Sequence, residues 1–300
     1  MVGAYSHSFI LGPHTPLSLP LQRLLARNPD RLLEVGAEFP AAKMHREVLS
    51  SILKSPAHEL ATPAAYQSYV DTVLEYDETE RVIYNYDAFI GSRKNALMDG
   101  FFYPSMETKI ALLRQLTLGQ EIALFLCIRH YTAFLEVELQ NNELFGELVT
   151  SYPDQIDFSW THFIWRLQKA WPEALLVILD ADTLPQNWAP VVSLITGHPE
   201  THLFQNIGKY PASCLADAGR RPYLKSMKSK APDSITEWAD RTSAFFQEFG
   251  TQDAILRKVI ASAWKPDQVQ HSKEKYDADM VALRSLENVV LARDLNWEAQ

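Results

Sequence analysis

Glu121-Ile122-Ala123-Leu124-Phe125-Leu126-Cys127-Ile128, followed at once by Arg129-His130, is the stretch that decides the fold. The apolar run from Ile122 to Ile128 shows neither polar alternation nor helical spacing, so it reads as a strand covered on both faces, as in a parallel sheet between helical layers. Three shorter stretches read the same way: Phe9-Ile10-Leu11, Arg81 to Tyr86 and Ala174 to Leu179. Helical patterns separate them. Leu21, Leu24, Leu25, Leu32 and Leu33 suit one helix face, interrupted near Asn28-Pro29. Further patterns run from about Met44 to Leu53, Ala64 to Leu74, Met106 to Leu118 with Gly119 as a stop, Thr132 to Glu147 and Ser159 to Ala170. The fold class expected is therefore α/β, a three-layer sandwich around a central, mostly parallel sheet, with ligand sites outside the C-terminal strand ends.

Beyond about Gly208 the strand signals fade. Helical patterns at Ser234 to Phe249, Gln252 to Ala263 and Lys273 to Leu286 take over. One domain over residues 1–300 is expected, with an α/β core at 1–207 and a mainly helical subregion at 208–300. The basic run Arg220, Arg221, Lys225, Lys228 and Lys230 reads as a solvated linker between the two, with an anion contact as the alternative.

Composition narrows the function classes. With 47% hydrophobic and 22% charged residues the chain is neither disordered nor a membrane protein; no apolar run approaches the ~20 residues that cross a bilayer. No basic start with a long apolar core marks a signal peptide, so a cytoplasmic location is expected. Cys127 and Cys214 are too few for a disulfide scaffold or a cysteine metal site, and Cys127 falls inside the strand as core. A net charge of −9 argues against sequence-independent binding to nucleic acid.

The first strand runs into Gly12-Pro13-His14-Thr15-Pro16-Leu17-Ser18-Leu19-Pro20-Leu21-Gln22, where an α/β nucleotide-binding protein would keep its phosphate loop. Such a loop needs glycine for close approach, free backbone N–H groups and usually a lysine. Pro16 and Pro20 have no N–H, Leu17 and Leu19 are bulky, and no cation is present.

These residues resemble the P-loop sulfotransferase superfamily, in particular a bacterial sulfotransferase-like branch. Members open with a strand and a turn of the form G-P-H-K-T-G-T-T-S-L-Q, which aligns with Gly12 to Gln22 without a gap; Gly12, Pro13, His14, Leu21 and Gln22 agree, and Ser18 stands for a threonine. The lysine position is Thr15, the glycine position Leu17, and Leu19 and Pro20 stand at the second threonine and the serine. Leu24 to Gly36 is similar to the family's first helix, Val82 to Gly91 to its second strand, and Gly100-Phe101-Phe102-Tyr103-Pro104, Phe125 to Arg129, Trp160 to Leu167, Trp188 to Gly197 and Tyr276-Asp277-Ala278-Asp279 continue the pattern.

The resemblance implies transfer of a sulfuryl group from 3′-phosphoadenosine 5′-phosphosulfate to a hydroxyl or amine, with a small molecule or saccharide as acceptor and no metal. It places the first loop (Gly12, Pro13, His14, Thr15, Ser18) on the 5′-phosphosulfate, Asp87 at the catalytic acidic position and Arg129 on the 3′-phosphate. A serine eight residues after that arginine would assist, but Val137 stands there.

Weighed as chemistry, Asp87 is either a base or a strand-end cap, and His14 a further catalytic candidate. Arg93 and Lys94 could bring charge to the cofactor from another direction. Arg129 is either an anion contact or the partner of a carboxylate such as Asp87 or Asp180. His14 and His130, both at strand ends, could meet in space but lack a third metal ligand. Without the lysine and loop N–H groups, the charge that develops on the leaving oxygen has no visible stabiliser in the first turn. A sulfotransferase-like protein with a binding or scaffold role is the expectation; an active sulfotransferase with a rebuilt site is the alternative.

Overall fold

The computed structural model describes residues 5–12, 17–52, 54, 62–86, 88–92, 96–98, 101–139, 147, 150, 158–250 and 264–295. Its centre is a six-stranded, wholly parallel sheet in the order β2-β3-β1-β6-β7-β8. These strands are β1 (His7–Gly12), β2 (Ala37–Glu38), β3 (Arg81–Asn85), β6 (Ile122–Ile128), β7 (Leu175–Asp180) and β8 (Val289–Leu291), while β4 (Leu97–Met98) and β5 (Phe101–Phe102) form a separate antiparallel pair. Every residue of β1 and β6 is buried, as the apolar runs require.

The strand period of two sorts these side chains between two cores. Phe9, Leu124, Leu126, Ile128, Leu176 and Ile178 enter one; Ile10, Phe125, Cys127, Val177 and Leu179 enter the other. The first core is closed by α3 (Ala42–Ile52), α4 (Pro63–Val73), α5 (Met106–Leu116), α6 (Tyr131–Leu139), α7 (Trp160–Ala170) and α12 (Pro266–Ala282). The second is closed by α1 (Ser18–Leu25), α2 (Pro29–Leu33), α8 (Trp188–Thr196), α9 (Lys209–Ser213) and α11 (Ile235–Phe249). A full burial of each large side chain contributes about 1.5–3 kcal/mol, so this two-sided wrapping is what holds the sheet. Helix starts follow local chemistry: Thr62, Ser159 and Ser234 each accept the N–H three residues on.

One sequence expectation changes. The basic run is no linker: Arg220 to Lys228 lie on α10 (Asp217–Ser229), where Arg220 pairs with Asp217 at 2.9 Å and donates to the Leu215 carbonyl. Among the helices of the region after Gly208, the short strand β8 returns to the sheet beside β7. The helix expected at Gln252 to Ala263 lies outside the described residues, as does the stretch 140–146 of the one expected at Thr132 to Glu147. Among the described residues no helix is long and apolar enough to cross a membrane.

Candidate functional site

Strand order fixes where a ligand site belongs. From β1 the chain turns to β3 and β2 on one side, whereas β6 leads to β7 and β8 on the other, so β1 and β6 flank the topological switch point. At its C-terminal end β1 slips register against β6 between Ile10 and Gly12, and Gly12 has φ +95, a value that glycine alone adopts without strain. The irregularity lies in the last pairs of β1 with β6, where Gly12 still partners Leu126.

Of the residues singled out from sequence, Gly12, Ser18 and Arg129 are described; Pro13, His14, Thr15, Asp87, Arg93 and Lys94 lie outside the described residues, as does the Val137 side chain. Ser18, at the start of α1, is already engaged. Its hydroxyl donates to Asn85 Oδ1 at 2.8 Å, and Asn85 Nδ2 donates back to the Ser18 carbonyl at 2.7 Å. Both residues are buried, so this pair anchors α1 to the end of β3. A hydroxyl so held does not face a phosphate.

Arg129 is 6% exposed. Its backbone carbonyl accepts the Trp160 indole N–H at 2.8 Å, but among the described residues nothing hydrogen-bonds or pairs with its guanidinium. Asp180, the carboxylate neighbour considered from sequence, pairs instead with Arg293 at 3.2 Å. Tyr210 lies near enough to feel the guanidinium's charge; burial pushes its phenol upward, and its hydroxyl meets the Cys214 thiol. A buried cation with no carboxylate beside it among the described residues is costly to hold.

On the other face of the sheet, His130 turns towards Tyr276, ring centroids 4.4 Å apart. Its Nε2–H donates to Asp182 Oδ2 at 2.7 Å, and its Nδ1 is buried without a partner among the described residues. Tyr276 donates to Asp180 Oδ1 at 2.9 Å, and the Asp182 N–H also meets Asp180 Oδ1 at 3.0 Å. Burial, then the Asp182 charge, raise the Asp180 carboxyl above its ordinary range. His14, which could meet His130 at the strand ends, lies outside the described residues; the described partner of His130 is Asp182.

A cation absent from the sequence reading stands at the end of β3. Arg46, from α3, donates through Nε and Nη2 to the Asn85 carbonyl, 3.2 Å each, and through Nη2 to Gln22 Oε1 at 3.3 Å. Its described partners are neutral carbonyls, so its charge is not cancelled by a carboxylate among the described residues. Nothing local in Lys43-Met44-His45-Arg46 marked it.

At the opposite end of the sheet, the loops that precede β2 and β3 line an open depression with Glu34, Glu75, Asp77, Glu78 and Glu80. Its charge suits no anion. Among the described residues no group of three or more His, Cys, Asp or Glu side chains is placed to hold a metal ion. No protein-family model, no curated protein and no solved structure matches this chain.

Proposed function

We propose that this protein is a sulfotransferase-like binding protein that holds the anionic part of a 3′-phosphoadenosine-type ligand at the end of β6 and does not transfer a sulfuryl group. The observation that carries this reading is Arg129: a guanidinium buried to 6% exposure at the switch point, with no anion or acceptor among the described residues. A planar fork of donors suits a phosphate, and a phosphate there would cancel the charge. The resemblance assigns this same arginine to the cofactor's 3′-phosphate.

The residues present fit a phosphate at Arg129 and do not fit a 5′-phosphosulfate in the first turn. Ser18 is bonded to Asn85, Pro16 and Pro20 offer no N–H, and Thr15 stands where the family has lysine. Arg46 adds positive charge on the β3 side of the edge. Binding without transfer follows from that asymmetry, since transfer needs donors on the oxygen that leaves and those are the groups replaced.

Calorimetric titration with adenosine 3′,5′-bisphosphate tests the reading. Micromolar binding that disappears in Arg129→Ala, together with no sulfated product from 3′-phosphoadenosine 5′-phosphosulfate and a panel of hydroxylated acceptors, is the expected result. No heat at millimolar ligand defeats it, and product formation restores the active-enzyme reading.

A further inference from the structure

The acidic depression at the far end of the sheet continues into an apolar groove. Leu33, Glu75 and Tyr76 line both, so the two form one surface beside β2. The groove encloses about 240 Å³ over the buried side chains of Leu25, Leu32 and Ala37. Where it meets the depression, Leu33 and Tyr76 stand 37% and 44% exposed. Glu75, Asp77, Glu78 and Glu80 crowd the rim, all of them exposed and without an ion-pair partner among the described residues. The loop that carries them is clamped from beneath: the buried Glu38 carboxylate accepts the Glu75 N–H and the Thr79 hydroxyl, each at 2.8 Å. Four like charges are thus held together against their mutual repulsion.

A surface of opposite sign lies on α10. Arg221, Lys225 and Lys228 are exposed at spacings of four and three, which sets them on one helix face over about 10 Å. Arg220 beside them pairs with Asp217, whereas these three have no carboxylate partner among the described residues. Glu75 to Glu80 spans at most ~17 Å of chain, so the two sets of charges match in reach.

We propose that the acidic groove of one copy receives the basic face of α10 from a second copy, so that the chain associates with itself. This does not depend on what Arg129 binds. The aliphatic stems of the lysines cover Leu33 and Tyr76 while their ammonium groups meet the carboxylates. A net charge of −9 sets two copies against each other at long range, so the attraction acts only where these two surfaces touch.

Sedimentation equilibrium of the full chain tests this. At about 0.01 M salt the weight-average mass climbs above the 34.1 kDa monomer as concentration rises; at about 1 M, where screening shortens to ~3 Å, it returns to the monomer. Lys225→Glu with Lys228→Glu abolishes association, and so does Glu75→Lys with Glu78→Lys. The second pair is the sharper arm, because it lowers the net negative charge and would strengthen any unspecific attraction between copies. A chain carrying all four exchanges associates again, about tenfold more tightly than either pair alone. A wild type that stays monomeric at low salt overturns the proposal. So does undiminished association in either pair, or a fourfold variant that remains monomeric with the wild-type circular dichroism.

Discussion

Asp279 and Arg129 are both charged residues buried near the C-terminal ends of β6 and β7, and they are treated in opposite ways. The Asp279 carboxylate accepts from the Ser159 hydroxyl at 3.0 Å, the Trp160 N–H at 3.0 Å, the Thr161 hydroxyl at 2.6 Å and the Tyr131 hydroxyl. It docks α12 onto the first turn of α7, where donors and helix dipole both favour a carboxylate. Arg129 receives nothing from the described residues. A saturated charge is a fastening; a buried charge with no partner among the described residues is not one, and the proposed anion would be what answers it.

The largest effect should come from undoing the fastening. Asp279→Ala strands several buried donors at once and is expected to lower unfolding stability by about 3–5 kcal/mol, read from denaturant midpoints. A loss below about 1 kcal/mol would mean that α12 is docked by its apolar side chains alone.

Next in size is a pair of opposed pH effects. Burial lowers His7 from 6.5 to about 4, so the unfolded chain takes up a proton that the folded chain refuses; this stability is complete above pH ~6.5 and is lost as pH falls towards 4. Burial raises Asp279 from 3.8 to about 6, so the folded chain keeps a proton that the unfolded one has released; this stability is complete below pH ~3.8 and is lost as pH rises towards 6. At ~1.4 kcal/mol per unit, each amounts to about 3 kcal/mol, and they oppose each other in one window. Stability against pH should therefore fall between pH 4 and 6 in His7→Gln, rise between pH 4 and 6.5 in Asp279→Asn, and change little in the wild type. Parallel curves for all three proteins would show that neither group titrates as its burial dictates.

Smaller losses should separate scaffold from site. Trp160→Phe deletes the indole bond to the Arg129 carbonyl and should cost about 1 kcal/mol. Ser18→Ala should cost a similar ~1 kcal/mol through Asn85, with bisphosphate affinity unchanged; a marked loss of affinity would return Ser18 to the phosphate loop that the resemblance implies. Arg129→Met is the smallest on stability: replacing a buried charge that has no partner among the described residues by an apolar chain should be neutral or gain about 1 kcal/mol, while the proposed binding is lost. A loss of several kcal/mol would place Arg129 on the fastening side of the comparison.

Much of the scaffold was legible from local pattern. The runs Ile122 to Ile128 and Leu175 to Leu179 are apolar on both faces because both faces are covered, and the break at Asn28-Pro29 is where α1 gives way to α2. The three-residue strand β8 gave no signal, since Val289-Val290-Leu291 is too short to show a period. Around the site, the sequence pointed to Arg129 but not to its neighbours. Tyr210 and Arg293 arrive from distant segments and carry no local mark, while Tyr276 was marked only as part of a family-like stretch, not as a neighbour of the strand end. The His130–Asp182 pair had one: Ile128 and Asp180 are register partners in adjacent parallel strands, and the two residues of the pair each stand two positions further on. Reading the two strand ends side by side, rather than one at a time, would have found it.

The late return of β8 bears on the order in which the molecule assembles. About a hundred residues separate the end of β7 from β8, so β7 stays an open edge, able to template another chain, until that whole stretch has been laid down. Closing so long a loop is entropically slow, and Arg293 reaches Asp180 only after it closes. On a ribosome, the strand-end cluster is thus among the last parts to form. A version ending after Ser229 would leave a sticky sheet margin rather than a smaller working domain.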